Sequence, residues 1–205
     1  MSLEQHAQAL QSTLHTAKLV PGSAASLIPT GFTPTTQLGV SFNGRPVELG
    51  NLFRASECKA PPAISFGAEA DSSNANSSYL LLLVDPDAPT PDDPKFAFWR
   101  HWVLPGLQPA GGAAAAAAAT ETKPALTEYL GPGPKDEYVV FSKPHRYLFL
   151  LFREPPAAAA LSKEDVGGEE FVQRRSFDAA TFVSKHGLAL VGVNWMLGAG
   201  DGWAE

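Results

Sequence analysis

Residues 80–94 read LLLLVDPDAPTPDDP, an apolar run that stops in a cluster of acids and prolines. Five consecutive apolar residues bounded by turn signals have the length of a strand buried on both faces rather than of a helix. Pro86 and Pro89 impose extended or turn geometry on the residues before them. Asp85 and Asp87 therefore leave the strand with little conformational freedom. A rigid acidic loop suits a ligand site, although carboxylates in such a turn also commonly bind nearby backbone N–H groups.

The composition indicates the broad class of the protein. The chain has 205 residues, of which 44% are hydrophobic and 18% charged, as in an ordinary globular protein. This length predicts one domain, residues 1–205, with a sizeable core. The 18 prolines and 18 glycines favour a loop-rich, strand-based fold.

Charge and cysteine content argue against several classes of partner. The formal net charge is −6 and the basic residues are scattered, so the basic face that captures nucleic acid is missing. Attraction to acidic membranes is equally unsupported, and no apolar run reaches the roughly 18 residues of a spanning helix. The single Cys58 makes no intramolecular disulfide, and the first residues lack the apolar core of a secretory signal. We therefore expect a cytoplasmic monomer without a cofactor, a metal, nucleic acid or integral membrane association.

An N-terminal helix is predicted in residues 1–20. Ser2 is a helix cap whose capping box is completed by Gln5, and Pro21 with Gly22 ends the helix. One helical face carries the apolar residues Leu3, Ala7, Leu10, Leu14 and Ala17. This stripe packs on the body of the protein or, alternatively, belongs to an arm that binds a partner.

Most of the remaining elements are predicted to be strands. Alternation within FWRHWVL, residues 98–104, places His101 on the same face as Val103. Arg100 falls on the opposite face, together with Trp102. Further strands are predicted in residues 38–49 as a hairpin-like pair, and in 63–66, 138–141, 146–152 and 188–197.

Two other segments complete the pattern. Residues 176–187 predict a short helix with Ser176 as its cap and Gly187 as its stop. Residues 108–124 hold an alanine run bounded by glycine and proline, and they predict a variable surface insertion without chemistry. The order of one helix, many strands, then a helix and a strand favours an antiparallel or mixed sheet with peripheral helices.

Several polar residues and glycines lie in or beside these strands. His101 lies between tryptophans, His145 precedes an apolar strand, and Gly131 and Gly133 would let a ligand approach the backbone. Each also has an ordinary structural explanation, as a hydrogen-bonded core histidine or part of a stiff loop. Two histidines and two aspartates are also suited to a weak metal-dependent or acid/base hydrolase. However, the sequence has no HExxH or GxSxG motif.

Four motifs follow one another along the middle of the chain. They are Asp85-Pro86-Asp87-Ala88-Pro89, then Asp93-Pro94 with Trp99 and His101, then Gly131-Pro132-Gly133-Pro134-Lys135, then Pro144-His145-Arg146-Tyr147. In order and spacing they resemble the phosphatidylethanolamine-binding protein family, also called the Raf kinase inhibitor protein family. Within it, the chain looks most like the fungal carboxypeptidase Y inhibitors. This closer likeness rests on Leu27-Ile28-Pro29, Leu49-Gly50-Asn51, residues 145–152 and Asn194-Trp195.

The resemblance implies a fold and a site. The implied fold is mainly β, with a large central antiparallel sheet, a smaller second sheet and a few peripheral helices. The implied site is a small anion pocket with no catalytic residue. Carried onto this chain, its lining is Asp85, Asp87, Trp99, His101, Gly131, Gly133, His145 and Tyr147. The chain departs from the family in the segment YVVFSK before Pro144, where a short glycine-containing loop is usual, and in its alanine-rich insertion.

The resemblance also implies a binding and regulatory protein. Its ligand would be a phospholipid headgroup or another phosphate-bearing molecule, and its partner a serine carboxypeptidase or a protein kinase. We hypothesise that Asp85 orients the histidines and that Asp87, with its prolines, mainly holds the loop. The alternatives are the hydrolase and a scaffold whose pocket is vestigial.

Overall fold

The computed structural model describes residues 2–71, 77–109, 118–134, 143–155 and 161–204. Its α-helices are α1 (Leu3–Thr16) and α2 (Ala179–Lys185). Its strands are β1 (Gly39–Phe42), β2 (Arg45–Pro46), β3 (Leu52–Arg54), β4 (Ala63–Ser65), β5 (Tyr79–Asp85), β6 (Trp99–Gln108), β7 (Thr120–Glu121), β8 (His145–Arg153) and β9 (Ala189–Ala199). Among the described residues, no helix combines the length and the hydropathy needed to cross a bilayer.

The strands form two sheets. The large sheet has the order β3-β9-β8-β5-β6-β7, and every neighbouring pair is antiparallel except β3 and β9. The small sheet has the order β2-β1-β4 and is antiparallel. The predicted mainly β fold with two sheets and few helices is confirmed. The large sheet is mixed rather than purely antiparallel, because β3 joins its edge parallel to β9.

β5 lies at the centre of the large sheet and explains why its sequence is so apolar. Residues 80–84 are completely buried, as predicted. Leu81 and Leu83 pack in the core shared with the small sheet, whereas the other three residues pack in the core shared with α1 and α2. Alternate side chains of one strand thus contribute to two apolar layers. Asp85 continues the face of Leu83, so it points to the side of the small sheet.

A β-bulge interrupts the alternation of β6. Leu83 of β5 pairs with Trp102. The next residue of β5, Val84, pairs with Arg100, which leaves His101 as an extra residue between them. Bulges of this kind redirect a side chain and are frequent beside functional sites.

The bulge turns His101 toward the small sheet. Its ring lies 5.2 Å from that of Tyr147, which belongs to the core on that side. Arg100 reaches the opposite side, where its guanidinium lies over the ring of Phe177, and Val103 packs on that side too. The prediction that His101 shares a face with Val103 is therefore wrong, because strict alternation does not continue through a bulge.

Both helices begin at a side-chain cap. The predicted capping box between Ser2 and Gln5 is confirmed, and most of the apolar stripe of α1 is buried against the large sheet. α2 is capped by Asp178, whose carboxylate accepts a hydrogen bond from the N–H of Thr181 at 3.1 Å. The prediction of Ser176 as this cap is wrong, because Ser176 adopts a left-handed conformation (φ 50°) two residues earlier.

Parts of two predicted segments lie outside the described residues. The strand predicted at 138–141, with most of YVVFSK, falls within residues 135–142, which the structure does not describe. Of the insertion 108–124, residues 110–117 are likewise not described. Its described end forms β7, which pairs with the last residues of β6 at the edge of the large sheet.

Candidate functional site

The acidic loop meets the start of β8 at one end of the large sheet. Asp85 ends β5, and its Oδ2 lies 2.8 Å from Nδ1 of His145; both side chains are buried. Its Oδ1 accepts a hydrogen bond from the backbone N–H of Asp87 at 2.7 Å. Because an ionised carboxylate only accepts hydrogen bonds, the Nδ1 of His145 carries the proton. Asp85 therefore fixes both the tautomer and the orientation of this ring.

The other ring nitrogen of His145 is left without a partner. Nε2 is buried, yet no hydrogen-bonding group among the described residues pairs with it. Buried polar atoms in folded proteins are nearly always paired. Among the described residues, the Nε2 atoms of His6 and His186 also lack a hydrogen-bond partner, so Nε2 of His145 is a candidate position for a hydrogen bond with an external polar group and not a unique one. It donates that bond when the ring is protonated and accepts one when the ring is neutral.

Tyr147 joins the two histidines. Its ring stacks on that of His145 with 6.2 Å between centroids, and it meets the ring of His101 edge-on. The Nδ1 of His101 donates to the carbonyl oxygen of Leu130 at 2.7 Å. Burial lowers the pKa of His101, partly opposed by the charge of Asp85, and burial raises the pKa of Tyr147 well above its usual value. We refer to Asp85, His101, His145 and Tyr147 as the histidine cluster.

Trp99 and the two glycines differ in their relation to this cluster. The half-buried ring of Trp99 lies 6.5 Å from that of His101. A β-carbon at Gly131 would lie 2.4 Å from the carbonyl oxygen of Cys58, so this glycine is required for close packing. Gly133 is exposed and has open space around its α-carbon. The structure thus places Trp99 beside the cluster, whereas it gives Gly131 a packing role and leaves Gly133 at the surface.

Asp87 makes a second acid–base pair, with Arg146. Its Oδ2 accepts hydrogen bonds from the backbone N–H and Nε of Arg146, both at 2.8 Å, and its Oδ1 accepts one from Nη2. The Nη1 of Arg146 donates to the carbonyl oxygen of Ala17, at the end of α1, at 2.7 Å. Hydrogen bonding to Asp87 raises the pKa of Arg146. Both oxygens of Asp87 are thus engaged within the protein, and the pair ties the acidic loop and β8 to α1.

A groove of about 500 Å³ borders this second pair. It lies between the end of α1 and β9, and its wall includes Asp87, Arg146 and Trp195. Neither His101 nor His145 lines it. The groove is therefore separate from the histidine cluster, and we do not assign the anion site to it.

Sequence reasoning omitted two residues that shape the site. Arg146 was left out of the predicted lining, although a charged residue in an apolar strand directly after His145 signalled a buried partner. Gly198 lies opposite His145 in β9, and a β-carbon there would lie 2.5 Å from the ring of Tyr147. Nothing in the local sequence indicated this close approach, because it depends on the pairing of β8 with β9.

The cluster is suited to binding a polar ligand. Two histidines supply hydrogen bonds and, on protonation, positive charge. Among the residues that the structure describes, no group of three or more His, Cys, Asp or Glu side chains is arranged to hold a metal ion. Hydrogen bonding to a polar group is chemistry that these side chains can support.

Comparison with known proteins identifies the family. The sequence profile described as phosphatidylethanolamine-binding protein matches residues 40–195. The chain belongs to the phosphatidylethanolamine-binding protein family. The family predicted from the four motifs is confirmed, and the matched span contains every residue of the histidine cluster.

Several members of the phosphatidylethanolamine-binding protein family resemble this chain. The protein MOTHER of FT and TFL1 homolog 2 of Oryza sativa is 26% identical over 175 residues, which cover 84% of this chain and 86% of that protein. The carboxypeptidase Y inhibitor of Saccharomyces cerevisiae is 29% identical over 148 residues, which cover 62% of this chain and 66% of that protein. The crystal structure of carboxypeptidase Y inhibitor complexed with its cognate proteinase has a TM-score of 0.74 at 23% identity and covers 95% of this chain and 97% of that chain. This last similarity is one of fold.

Proposed function

We propose that this member of the phosphatidylethanolamine-binding protein family binds phosphate-type anions, including phospholipid headgroups, at the histidine cluster. In this proposal it regulates a partner enzyme and catalyses no reaction itself. The observation that carries the proposal is the buried and unpaired Nε2 of His145, on a ring that Asp85 holds through Nδ1. When the ring is protonated, this nitrogen donates a hydrogen bond, and a phosphate oxygen is a suitable acceptor.

Electrostatics couple anion binding to proton uptake. Burial disfavours the charged form of His101, and the negative charge of a neighbouring phosphate offsets that cost. Affinity for phosphate is therefore expected to rise as the pH falls. Because Nε2 is buried, binding also requires neighbouring side chains to move.

The partner that we propose is a serine carboxypeptidase. Support comes from the 29% identity to a relative that is named for inhibiting carboxypeptidase Y. A further support is Leu3, an apolar residue that begins α1 and is 38% exposed although most of the stripe behind it is buried. An exposed apolar residue at this end of a firmly packed helix gives a protease a contact without disturbing the core.

The anion site is tested by NMR titration of the histidines. Phosphate and phosphoethanolamine are added separately, so that binding of the free anion and of the headgroup are distinguished. Both are expected to shift the signals of His101 and His145, and Asp85→Ala is expected to abolish these shifts. Asp92→Ala is the matched control, since Asp92 lies on the same loop but its side chain is exposed and forms an ion pair with the exposed Lys143. Unchanged shifts in Asp85→Ala would refute the proposed role of Asp85.

The partner is tested by titrating the full chain against carboxypeptidase Y. Inhibition is expected, and Leu3→Ser is expected to weaken it if the start of α1 takes part. Deleting residues 1–20 is a poorer test, because it would remove the buried residues Leu10, Leu14 and Leu19 from the core. If the full chain does not inhibit the peptidase, the proposed serine carboxypeptidase partner is rejected. The proposed anion site is tested independently by the NMR titration.

A further inference from the structure

Two adjacent apolar side chains next to the candidate site are exposed to solvent. Phe171 and Val172 begin a short 3₁₀ helix, Phe171–Arg174, and are 58% and 61% exposed. Elsewhere in the described part of the chain, Leu3 is the one other exposed large apolar side chain. An exposed apolar pair is informative when it continues into further apolar surface, because such patches mark interaction sites.

Phe171 does continue into such a surface. Its ring packs edge-on against that of Trp99, with 4.9 Å between centroids. The guanidinium of Arg175 lies 5.8 Å from the centre of the Trp99 ring and 4.6 Å from that of Phe96. We refer to Phe96, Trp99, Phe171, Val172 and Arg175 as the aromatic patch. Trp99 belongs both to this patch and to the surroundings of His101, so the patch and the proposed anion site are continuous.

The backbone of the patch is held in place by the core. Arg174 is buried, and its Nη1 donates to the carbonyl oxygens of His101 and Glu128 at 3.1 Å and 2.9 Å. The N–H of Ser176 donates to the carbonyl oxygen of Phe96 at 3.0 Å. These contacts anchor the 3₁₀ helix and the segment after it to β6 and to the loop before it. The apolar side chains are thus presented outward on a fixed support rather than folded back into the core.

We propose that the aromatic patch docks the protein on the interface of a phospholipid bilayer, with the histidine cluster facing a headgroup. This inference rests on the proposed function, and it assigns the headgroup to a lipid that stays in its membrane. A small headgroup pocket does not bury two acyl chains. The protein therefore has to come to the membrane surface. The part of its own surface next to the histidine cluster then has to be compatible with contact with the bilayer interface.

The chemistry of the patch fits a bilayer interface. Tryptophan and other aromatic rings concentrate at the level of the headgroups, where one side of the ring is apolar and the other wet. Arg175 takes part in none of the ion pairs found among the described residues, so its charge is available to a lipid phosphate. Because the whole chain carries a formal charge of −6, attraction should come from apolar contact. Binding is therefore expected on uncharged vesicles and with little dependence on salt.

The experiment measures binding to vesicles and to a soluble headgroup in parallel. The full chain is sedimented with vesicles of equal parts phosphatidylethanolamine and phosphatidylcholine, and the histidine signals are titrated with phosphoethanolamine. The double variant Phe171→Ser, Val172→Ser is expected to lose about tenfold or more in vesicle affinity, since two apolar side chains no longer leave water. Its response to phosphoethanolamine is expected to persist. Leu3→Ser, which removes an exposed apolar side chain elsewhere, is expected to bind vesicles as the parent chain does.

The outcomes that contradict the bilayer inference differ from the outcome that contradicts the proposed anion site. Equal vesicle binding by the parent chain and the double variant would overturn the inference. So would a parent chain whose histidines respond to phosphoethanolamine but which does not sediment with vesicles, and in that case the proposed anion site would survive. Histidines that ignore phosphoethanolamine would reject the proposed function instead. If the double variant binds vesicles normally but no longer inhibits carboxypeptidase Y, the patch is a protein interface and the bilayer inference fails.

Discussion

The two acid–base pairs at the end of the large sheet use the same loop and neighbouring residues of β8, yet they differ in what they leave unpaired. Asp85 binds His145 and leaves one buried ring nitrogen without a partner. Asp87 binds Arg146 through both of its oxygens, and Arg146 also reaches α1. The first pair leaves a buried polar atom unpaired among the described residues, whereas the second is satisfied within the protein.

The difference follows from the two faces of β8. Successive residues of a strand point to opposite sides of the sheet, so His145 points to the small sheet with Tyr147, and Arg146 points to α1. Two aspartates that look alike in DPDAP therefore have different partners: Asp85 pairs with a histidine of the proposed binding site, and Asp87 pairs with an arginine that reaches α1. The residue type does not separate the two partners, whereas the face of the sheet does.

The largest expected effect comes from breaking the structural pair. Asp87→Asn removes the charge that faces Arg146, whose side chain is only 19% exposed. An uncompensated and mostly buried guanidinium is expected to lower the free energy of unfolding by about 3 kcal/mol, measured by urea denaturation. Asp92→Asn is the control, because the Asp92 side chain is 72% exposed and its loss is expected to change stability by less than about 0.5 kcal/mol. Equal losses in the two variants would show that Asp87 has no structural role of its own.

The next largest effect comes from replacing the unpaired ring nitrogen of His145. His145→Gln keeps a donor for Asp85 but deletes the ring nitrogen at Nε2. Phosphate affinity measured by calorimetry is expected to fall about tenfold to a hundredfold, the value of one charge-assisted hydrogen bond. His186→Gln, at the end of α2 and away from the cluster, is expected to bind phosphate normally. A His145 variant with unchanged affinity would move the ligand away from this nitrogen.

The smallest effect concerns pH and depends on His101. Burial lowers the pKa of His101 below its ordinary value of 6.5, so the unfolded chain binds more protons than the folded one as the pH falls below about 6.5. Stability is therefore expected to decrease from that pH downward and to level off below the folded pKa. Phosphate is expected to reduce this loss, because it favours the imidazolium form.

Denaturation at a series of pH values checks this expectation. In the His101→Gln variant, the free energy of unfolding should decrease less steeply as the pH falls. Part of the slope should remain, because burial also lowers the pKa of His6 in α1. A His101 variant with the full parental slope would mean that the acid sensitivity comes from other groups.

The parts of the structure that sequence reasoning obtained correctly are local or periodic. The buried strand of residues 80–84, the capping box of Ser2 and Gln5 and the packing stripe of α1 each depend on contacts within a few residues or on a regular repeat. The predicted cap of α2 is wrong because the choice of cap depends on contacts outside the helix. Ser176 and Asp178 are both good caps, and the choice between them depends on how the chain before α2 is held, since the N–H of Ser176 donates to the carbonyl oxygen of Phe96 in the loop before β6.

Some residues of the predicted lining lie together in the structure. The motif order named Asp85, His101, His145 and Tyr147, which the structure brings together. It also named Gly131, whose close approach is to Cys58 rather than to the cluster. Arg146 and Gly198 were omitted, since their roles depend on contacts across the sheet that no short window of sequence contains.

By itself, the sequence determined the buried strand, the proline-stiffened acidic loop after it and the family, because apolar period, proline geometry and motif order are properties of short stretches of chain. Only the tertiary structure decided which aspartate faces which base. Asp85 meets His145 across 60 positions of the chain and Asp87 meets Arg146 across 59, so the pairing depends on the register of β5 and β8. It also decided the side on which His101 lies, because a single extra residue in β6 reverses the face of every side chain before it.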